Sequence, residues 1–279
     1  MHIYHLNTWT LRPYATRAIN GTGGLFRQGY LVLHVVLIDT GSGLALIDTG
    51  WGTQDFLRPT PMVRIFTWLT VGPIREAQLV MRQVEGLGYD PRDVQHIFMT
   101  HMHLDHPGGI VDFPWAKVHI FRDEYEAIMR QGSFITRGAY RAEHWAHGPD
   151  WVVHDLGEEW HGFQSTPPVA VGEVRFRLVP LPGHSEGMCA VAAELPDGRT
   201  LMHCGDSYIY WGQVDVDHPH LPPGGGAFLK VFGRFGLVGG VYAHSDRLRA
   251  LKREMGGRLI MFCGHSAHEF EQLVQTQHG

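Results

Sequence analysis

Twenty histidines stand in a chain of 279 residues, nearly as many as its 23 lysines and arginines together. Their densest group is His101-x-His103-x-Asp105-His106. Chance placement would produce that pattern in roughly half a per cent of such sequences, so the spacing asks for a chemical reason. The chemistry it suits is metal binding. Neutral imidazole and carboxylate are ligands that zinc accepts, and manganese, iron or cobalt as well. His101 and His103 are separated by one residue at the end of an apolar run, so extended backbone points both the same way. Pro107-Gly108-Gly109 then turns the chain and can present Asp105 and His106 beside them. Isolated histidines such as His2, His34 and His119 read instead as core or surface residues.

The elements that must carry this loop show as an alternation. Leu31 to Ile38 and Leu44 to Ile47 are apolar runs around Asp39-Thr40-Gly41-Ser42-Gly43, the pattern of a hairpin. Both faces of these runs are apolar, which predicts a sheet covered on both sides. Arg75 to Leu87 has helical spacing, and Val94 to Met99 is a short strand that empties into the histidine loop. A strand over Lys117 to Phe121 and a helix over Asp123 to Arg130 follow. In the second half, Val174 to Val179 is a strand running into Pro180-Leu181-Pro182-Gly183-His184. Met188 to Leu195 and Thr200 to Cys204 flank the turn Pro196-Asp197-Gly198-Arg199. A helix over Ser245 to Met255, a strand over Arg258 to Cys263 and a helix over Ala267 to Gln275 complete an α/β pattern. Two stretches, about 131–160 and 208–241, read as loop insertions, the kind of segment that forms lids or binding loops. Apolar residues in Phe56 to Leu69 read as an interface or as a loop packed on the sheet. No linker divides the chain, so one domain over 1–279 is expected.

Taken with His184, Asp206 and His265, the histidine loop resembles the metallo-β-lactamase superfamily. Leu46-Ile47-Asp48-Thr49-Gly50, Pro182-Gly183-His184-Ser185-Glu186-Gly187, Cys204-Gly205-Asp206 and Phe262-Cys263-Gly264-His265 look like that superfamily's further motifs. The resemblance spans about residues 30 to 270. It implies a four-layer αββα sandwich with metals at the edge where strand-end loops converge. Carried over by position, His101, His103 and His184 would hold one divalent ion. Asp105, His106 and His265 would hold a second, and Asp206 would bridge them. Asp48 is either a brace for the ligand loop or an ordinary turn cap. Ser266 stands where many relatives have Asp, and Met188 and Cys189 stand where many have another histidine.

The resemblance implies two zinc ions, with Mn, Fe or Co as alternatives, and hydrolysis by a metal-bridging hydroxide that Asp105 helps to orient. A lactone or carboxylic ester, such as an N-acyl homoserine lactone, is the favoured substrate. A thioesterase of the glyoxalase II type and a small-molecule phosphodiesterase are the alternatives. A non-hydrolytic di-metal redox or sensor protein is disfavoured, because no residues remain for a flavodoxin-like domain. The lactonase branch uses a tyrosine after the bridging Asp, which nominates Tyr208, with Tyr210 as the alternative, although neither offset matches that branch. Aromatic residues of 131–160 and 208–211 could line an apolar acyl pocket.

Charge and composition narrow the partners. The net charge is −5, with no basic footprint for a phosphate backbone, so nucleic acid is not expected as a partner. Cys189, Cys204 and Cys263 are scattered and odd in number, so no disulfide framework is implied. The most apolar run, Leu31 to Ile38, is interrupted by His34 and falls far short of the ~20 residues of a membrane helix. The N-terminus shows no signal-peptide pattern. The expectation is a soluble cytoplasmic protein with a small-molecule substrate and no membrane partner. Related lactonases allow a homodimer.

Overall fold

The structure is a computed structural model that describes residues 1–24, 26–130, 139–226 and 240–277. Parts of both expected insertions, 131–138 and 227–239, therefore lie outside the described residues.

Two sheets face each other. The first has the order β1 (His2–Leu11), β2 (Leu31–Asp39), β3 (Leu44–Ile47), β4 (Val94–Phe98), β5 (Lys117–Phe121) and β6 (Asp150–His154). β1, β2 and β3 are antiparallel, while β3 to β6 run parallel. The short strands β7 (Glu158–Trp160) and β8 (Phe163–Ser165) pair with each other. The second sheet joins β13 (Leu259–Phe262), β12 (Thr200–His203), β11 (Cys189–Glu194), β10 (Val174–Pro180) and β9 (Val169–Val171) in that order.

Period-two alternation explains why the early strands are apolar throughout. Val36, Ile38, Ala45 and Ile47 point at Phe176, Leu178 and Val191 of the second sheet and form the central core. Val35, Leu37, Leu44 and Leu46 point the other way, against Val80, Val84 and Ile128 of the helices Val80–Gly86 and Arg122–Met129. On the far side, Ala190, Ala192 and Met202 pack on Leu248, Leu251 and Met255 of the helix Ser245–Met255. Helices thus cover both outer faces, the αββα order expected.

Several elements depart from the sequence reading. Residues 150–154, read as part of a loop, form the edge strand β6, because Trp151, Val152 and Val153 extend the parallel ladder of β5. Phe56 to Leu69 is neither a bare loop nor a sheet-packed coil but parts of two helices, Thr53–Leu57 and Pro61–Leu69. Thr60 starts the second, its Oγ1 accepting from Val63 N at 3.4 Å, with Pro61 at the first helical position. The helix expected from Arg75 breaks at Leu79, whose backbone is extended while its side chain is buried with Trp9, Trp51 and Val63. A ten-residue strand, β1, precedes everything the pattern marked. Among the described residues no helix is long and apolar enough to cross a membrane.

Candidate metal centre

Strand direction places the site. β3, β4, β12 and β13 deliver their following loops to one edge of the sandwich, and β10 delivers a further one there. Asp48 follows β3, His101 to His106 follow β4, His184 follows β10, Asp206 follows β12 and His265 follows β13. The seven residues nominated as ligands meet there in three overlapping sets: His101, His103 and His184; His101, His106 and Asp206; Asp105, His106 and His265. Within each set the ligand atoms lie within 4.8 Å of one another. Asp206 reaches both groups. Its Oδ1 is 3.6 Å from His106 Nε2, and its Oδ2 is 3.4 Å from His184 Nε2 and 3.2 Å from His265 Nε2. Asp105 Oδ2 stands 3.6 Å from His265 Nε2.

The surroundings set which nitrogen faces the centre. Thr100 Oγ1 donates to Asp48 Oδ2 at 2.7 Å and so accepts from His101 Nδ1 at 3.1 Å. His106 Nδ1 donates to Asp48 Oδ2 at 2.8 Å, and His265 Nδ1 donates to the Val32 carbonyl at 2.8 Å. In all three rings Nδ1 is committed to that partner, and Nε2 is the nitrogen turned inward. His101 Nε2, His106 Nε2 and Asp206 Oδ1 are buried with no hydrogen-bond partner among the described residues. Each such atom costs about 1–3 kcal/mol unless something binds it. Inward imidazole nitrogens and a shared carboxylate fit divalent transition ions, as the ligand chemistry suggested.

Charge is distributed unevenly over the cluster. Burial drives His101, His103 and His184 below the ordinary imidazole range, which keeps them neutral. Burial also works against charge on His106 and His265, but the facing carboxylates, Asp206 foremost, outweigh it. They raise His106 well above its usual value and His265 to about 9. Burial would push Asp206 up, yet His265 and His106 hold it well below the usual carboxylate range.

Asp48 is a brace as well as a turn residue. Its Oδ1 accepts from Thr100 N at 2.8 Å, tying the end of β3 to the ligand loop after β4. Two buried glutamates, not anticipated from sequence, act similarly. Glu124 accepts from Met102 N at 2.8 Å, Ser185 Oγ at 2.7 Å and Gly187 N at 3.1 Å, joining the loops of His103 and His184. Burial raises its pKa above the usual carboxylate range, against those hydrogen bonds and one from Tyr140. Glu269 accepts from Cys263 N at 3.2 Å and from Tyr208 Oη at 2.9 Å. His203 was also missed. It donates from Nε2 to the His34 carbonyl at 2.7 Å and accepts at Nδ1 from Gly205 N at 3.1 Å, next to Asp206. Each looks ordinary in sequence, a helix-start acid or a strand-end histidine, and only its partners reveal the role. Gly264 is required by crowding, since a Cβ there would lie 2.7 Å from Asp206 Oδ1.

The nomination of Tyr208 is corrected. Its side chain is fully buried in the outer core with Val214 and Leu248, and its hydroxyl is committed to Glu269. Tyr210 lies in an apolar groove with Ala18, Ile19, Leu31 and Ile209, its hydroxyl 3.4 Å from His220 Nε2. From the other aromatic stretch, Tyr140 reaches the site, its ring 5.2 Å from that of His103.

The sequence profile of the metallo-beta-lactamase superfamily matches residues 31–246. The chain belongs to that superfamily. Within it, the chain is similar to a probable metallo-hydrolase of Mycobacterium tuberculosis, 38% identical over 214 residues. That match covers 76% of this chain and 64% of the mycobacterial protein, so the chain spans less than two thirds of that relative's length. The N-acyl homoserine lactonase AttM of Agrobacterium fabrum is 30% identical over 120 residues, 43% of each chain. In fold, the chain is similar to AiiA of B. thuringiensis solved with N-decanoyl-L-homoserine at its active site, with a TM-score of 0.66. That structural match is 17% identical and covers 98% of this chain and 97% of the other. The metallo-β-lactamase fold expected from the motifs is thereby found in the whole described architecture.

Proposed function

We propose that this chain is a dinuclear metal-dependent hydrolase acting on a lactone or carboxylic ester, with N-acyl homoserine lactones as the favoured class. The observation that carries the reading is Asp206 facing both histidine groups, with unpartnered imidazole nitrogens around it. His101, His103 and His184 would hold one ion, Asp105, His106 and His265 the other, and Asp206 both. Zinc suits this donor set, and a dizinc quorum-quenching lactonase shares the fold with a TM-score of 0.57. Two bound ions would draw a nucleophile from water at neutral pH and polarise the ester carbonyl.

The chain's own residues supply orientation and proton handling. Asp48 and Thr100 lock the imidazole tautomers, and Glu124 holds the two ligand loops in register. Asp105, whose Oδ2 stands 3.6 Å from His265 Nε2, would orient that nucleophile as well as help to hold an ion. The groove of Ala18, Ile19, Leu31 and Ile209 offers an apolar wall for an acyl chain. In sequence, the groove's Leu31 adjoins Val32, whose carbonyl accepts from His265, and its Ile209 follows Asp206 closely.

A panel of an acyl homoserine lactone, S-lactoylglutathione, a nitrophenyl phosphodiester and a β-lactam tests the reading on metal-loaded protein. Lactone turnover is expected to exceed the others. Turnover of the thioester or the phosphodiester alone would replace the proposed substrate class.

A further inference from the structure

A surface formed by the helix Pro61–Leu69 and the end of β1 combines exposed apolar side chains with arginines. On the helix Pro61–Leu69, Ile65, Trp68 and Leu69 are 54%, 77% and 61% exposed, and Leu57 on the preceding helix is 66% exposed. Positions 65, 68 and 69 are one helical face by spacing. The opposite face is anchored, with Val63 and Phe66 packed among Trp9, Trp51 and Leu104. The exposed face is therefore presented by a rigid support rather than by a fraying segment.

The segments that build this face are basic, and Glu271 is an acid that acts on Tyr30 beside Arg12. Residues 1–38 and 56–75 contain Arg12, Arg17, Arg27, Arg58, Arg64 and Arg75 and none of the chain's 28 acidic residues. Arg12 N donates to the Thr70 carbonyl, so the end of β1 adjoins the end of the helix. There, Arg12 and Arg75 line a cavity of about 190 Å³ with Thr10, Val71, Pro73 and Gln78. Among the described residues neither guanidinium has a carboxylate partner. Arg12 lies over the Tyr30 ring at 5.7 Å, and Arg64 Nε donates to the Pro59 carbonyl at 3.2 Å. The nearby Glu76 is engaged by Arg82, and Asp55 is buried against His144.

We propose that this face is a docking surface for an anionic lipid membrane, with Trp68 and its apolar neighbours inserted at the interface and Arg12 and Arg75 receiving a lipid phosphate. A tryptophan with flanking arginines is the composition that settles at a headgroup boundary. A second copy of the chain fits less well. A two-fold contact sets the same patch against itself and would bring arginines together without counter-charges. Peripheral docking needs no spanning helix, so the expectation of no membrane partner, which rested on the lack of one, does not bear on it.

The test is co-sedimentation of the full metal-loaded chain with vesicles of phosphatidylcholine alone and of phosphatidylcholine containing phosphatidylglycerol. Binding to the anionic vesicles only, weakened by salt, is expected. R12Q and R75Q should each weaken it about five-fold, and W68E should abolish it, with unchanged melting temperature and hydrolysis. Equal binding to both vesicle types, or binding retained by W68E, overturns the proposal. So does wild-type protein that ignores vesicles, whether it dimerises through Trp68 or is stabilised by inorganic phosphate through Arg12 and Arg75.

Discussion

Replacing Glu124 with alanine should loosen the metal centre without touching a ligand. The carboxylate accepts two backbone N–H groups, from Met102 and Gly187, and the Ser185 hydroxyl. The hydroxyl can rotate to another acceptor, but the two amides cannot. An unsatisfied buried donor costs about 1–3 kcal/mol, so the pair predicts a loss of about 4 kcal/mol. At roughly 2–4 °C per kcal/mol for a chain somewhat shorter than this one, the melting temperature should fall by about 8–16 °C. Because the freed loops carry His103 and His184, metal affinity should fall about 10–100-fold, the usual effect of removing a partner behind the ligands. Glu124→Gln keeps one acceptor and should lie between alanine and wild type. The assays are thermal unfolding and metal retention against a graded chelator. An alanine variant that melts within about 2 °C of wild type and retains metal equally well would show that the two loops hold their places without this carboxylate.

Further expectations follow from the same geometry. His103→Ala or Asp206→Ala should abolish hydrolysis and lower the metal content, measured by elemental analysis, while far-UV circular dichroism stays native. Tyr208→Phe should leave kcat unchanged and cost about 1 kcal/mol of stability by denaturant titration, because its hydroxyl serves Glu269 in the core; a large loss of kcat would return it to the site. Gly264→Ala should depress metal binding more than stability, since the added methyl would press on Asp206 Oδ1. Burial raises the thiols of Cys189, Cys204 and Cys263 well above their usual range. A thiol reagent at pH 8 should therefore label none of them until the protein unfolds, which mass spectrometry would read.

Much of this molecule was legible because it is written in local patterns. Lys117 to Phe121 and Ser245 to Met255 form the elements their periodicity predicts. The strand β1 escaped notice because its polar and apolar residues mix around a bulge between Asn7 and Trp9, which breaks the alternation. The helix Pro61–Leu69 was obscured because its apolar residues occupy exposed as well as buried positions, so no single stripe marks a core face.

The sequence by itself determined the donor types of the candidate site and their placement after strand ends, because a donor's chemistry belongs to its side chain and strand ends are marked by local turn residues. Tertiary structure alone decided that Tyr208 turns into the core. It also decided that Glu124 and Asp48 brace loops distant in sequence, and that the inward nitrogens belong to His101, His106 and His265. A hydroxyl, a carboxylate or a ring tautomer takes its role from whatever it meets across space, and no pattern along the chain records those encounters.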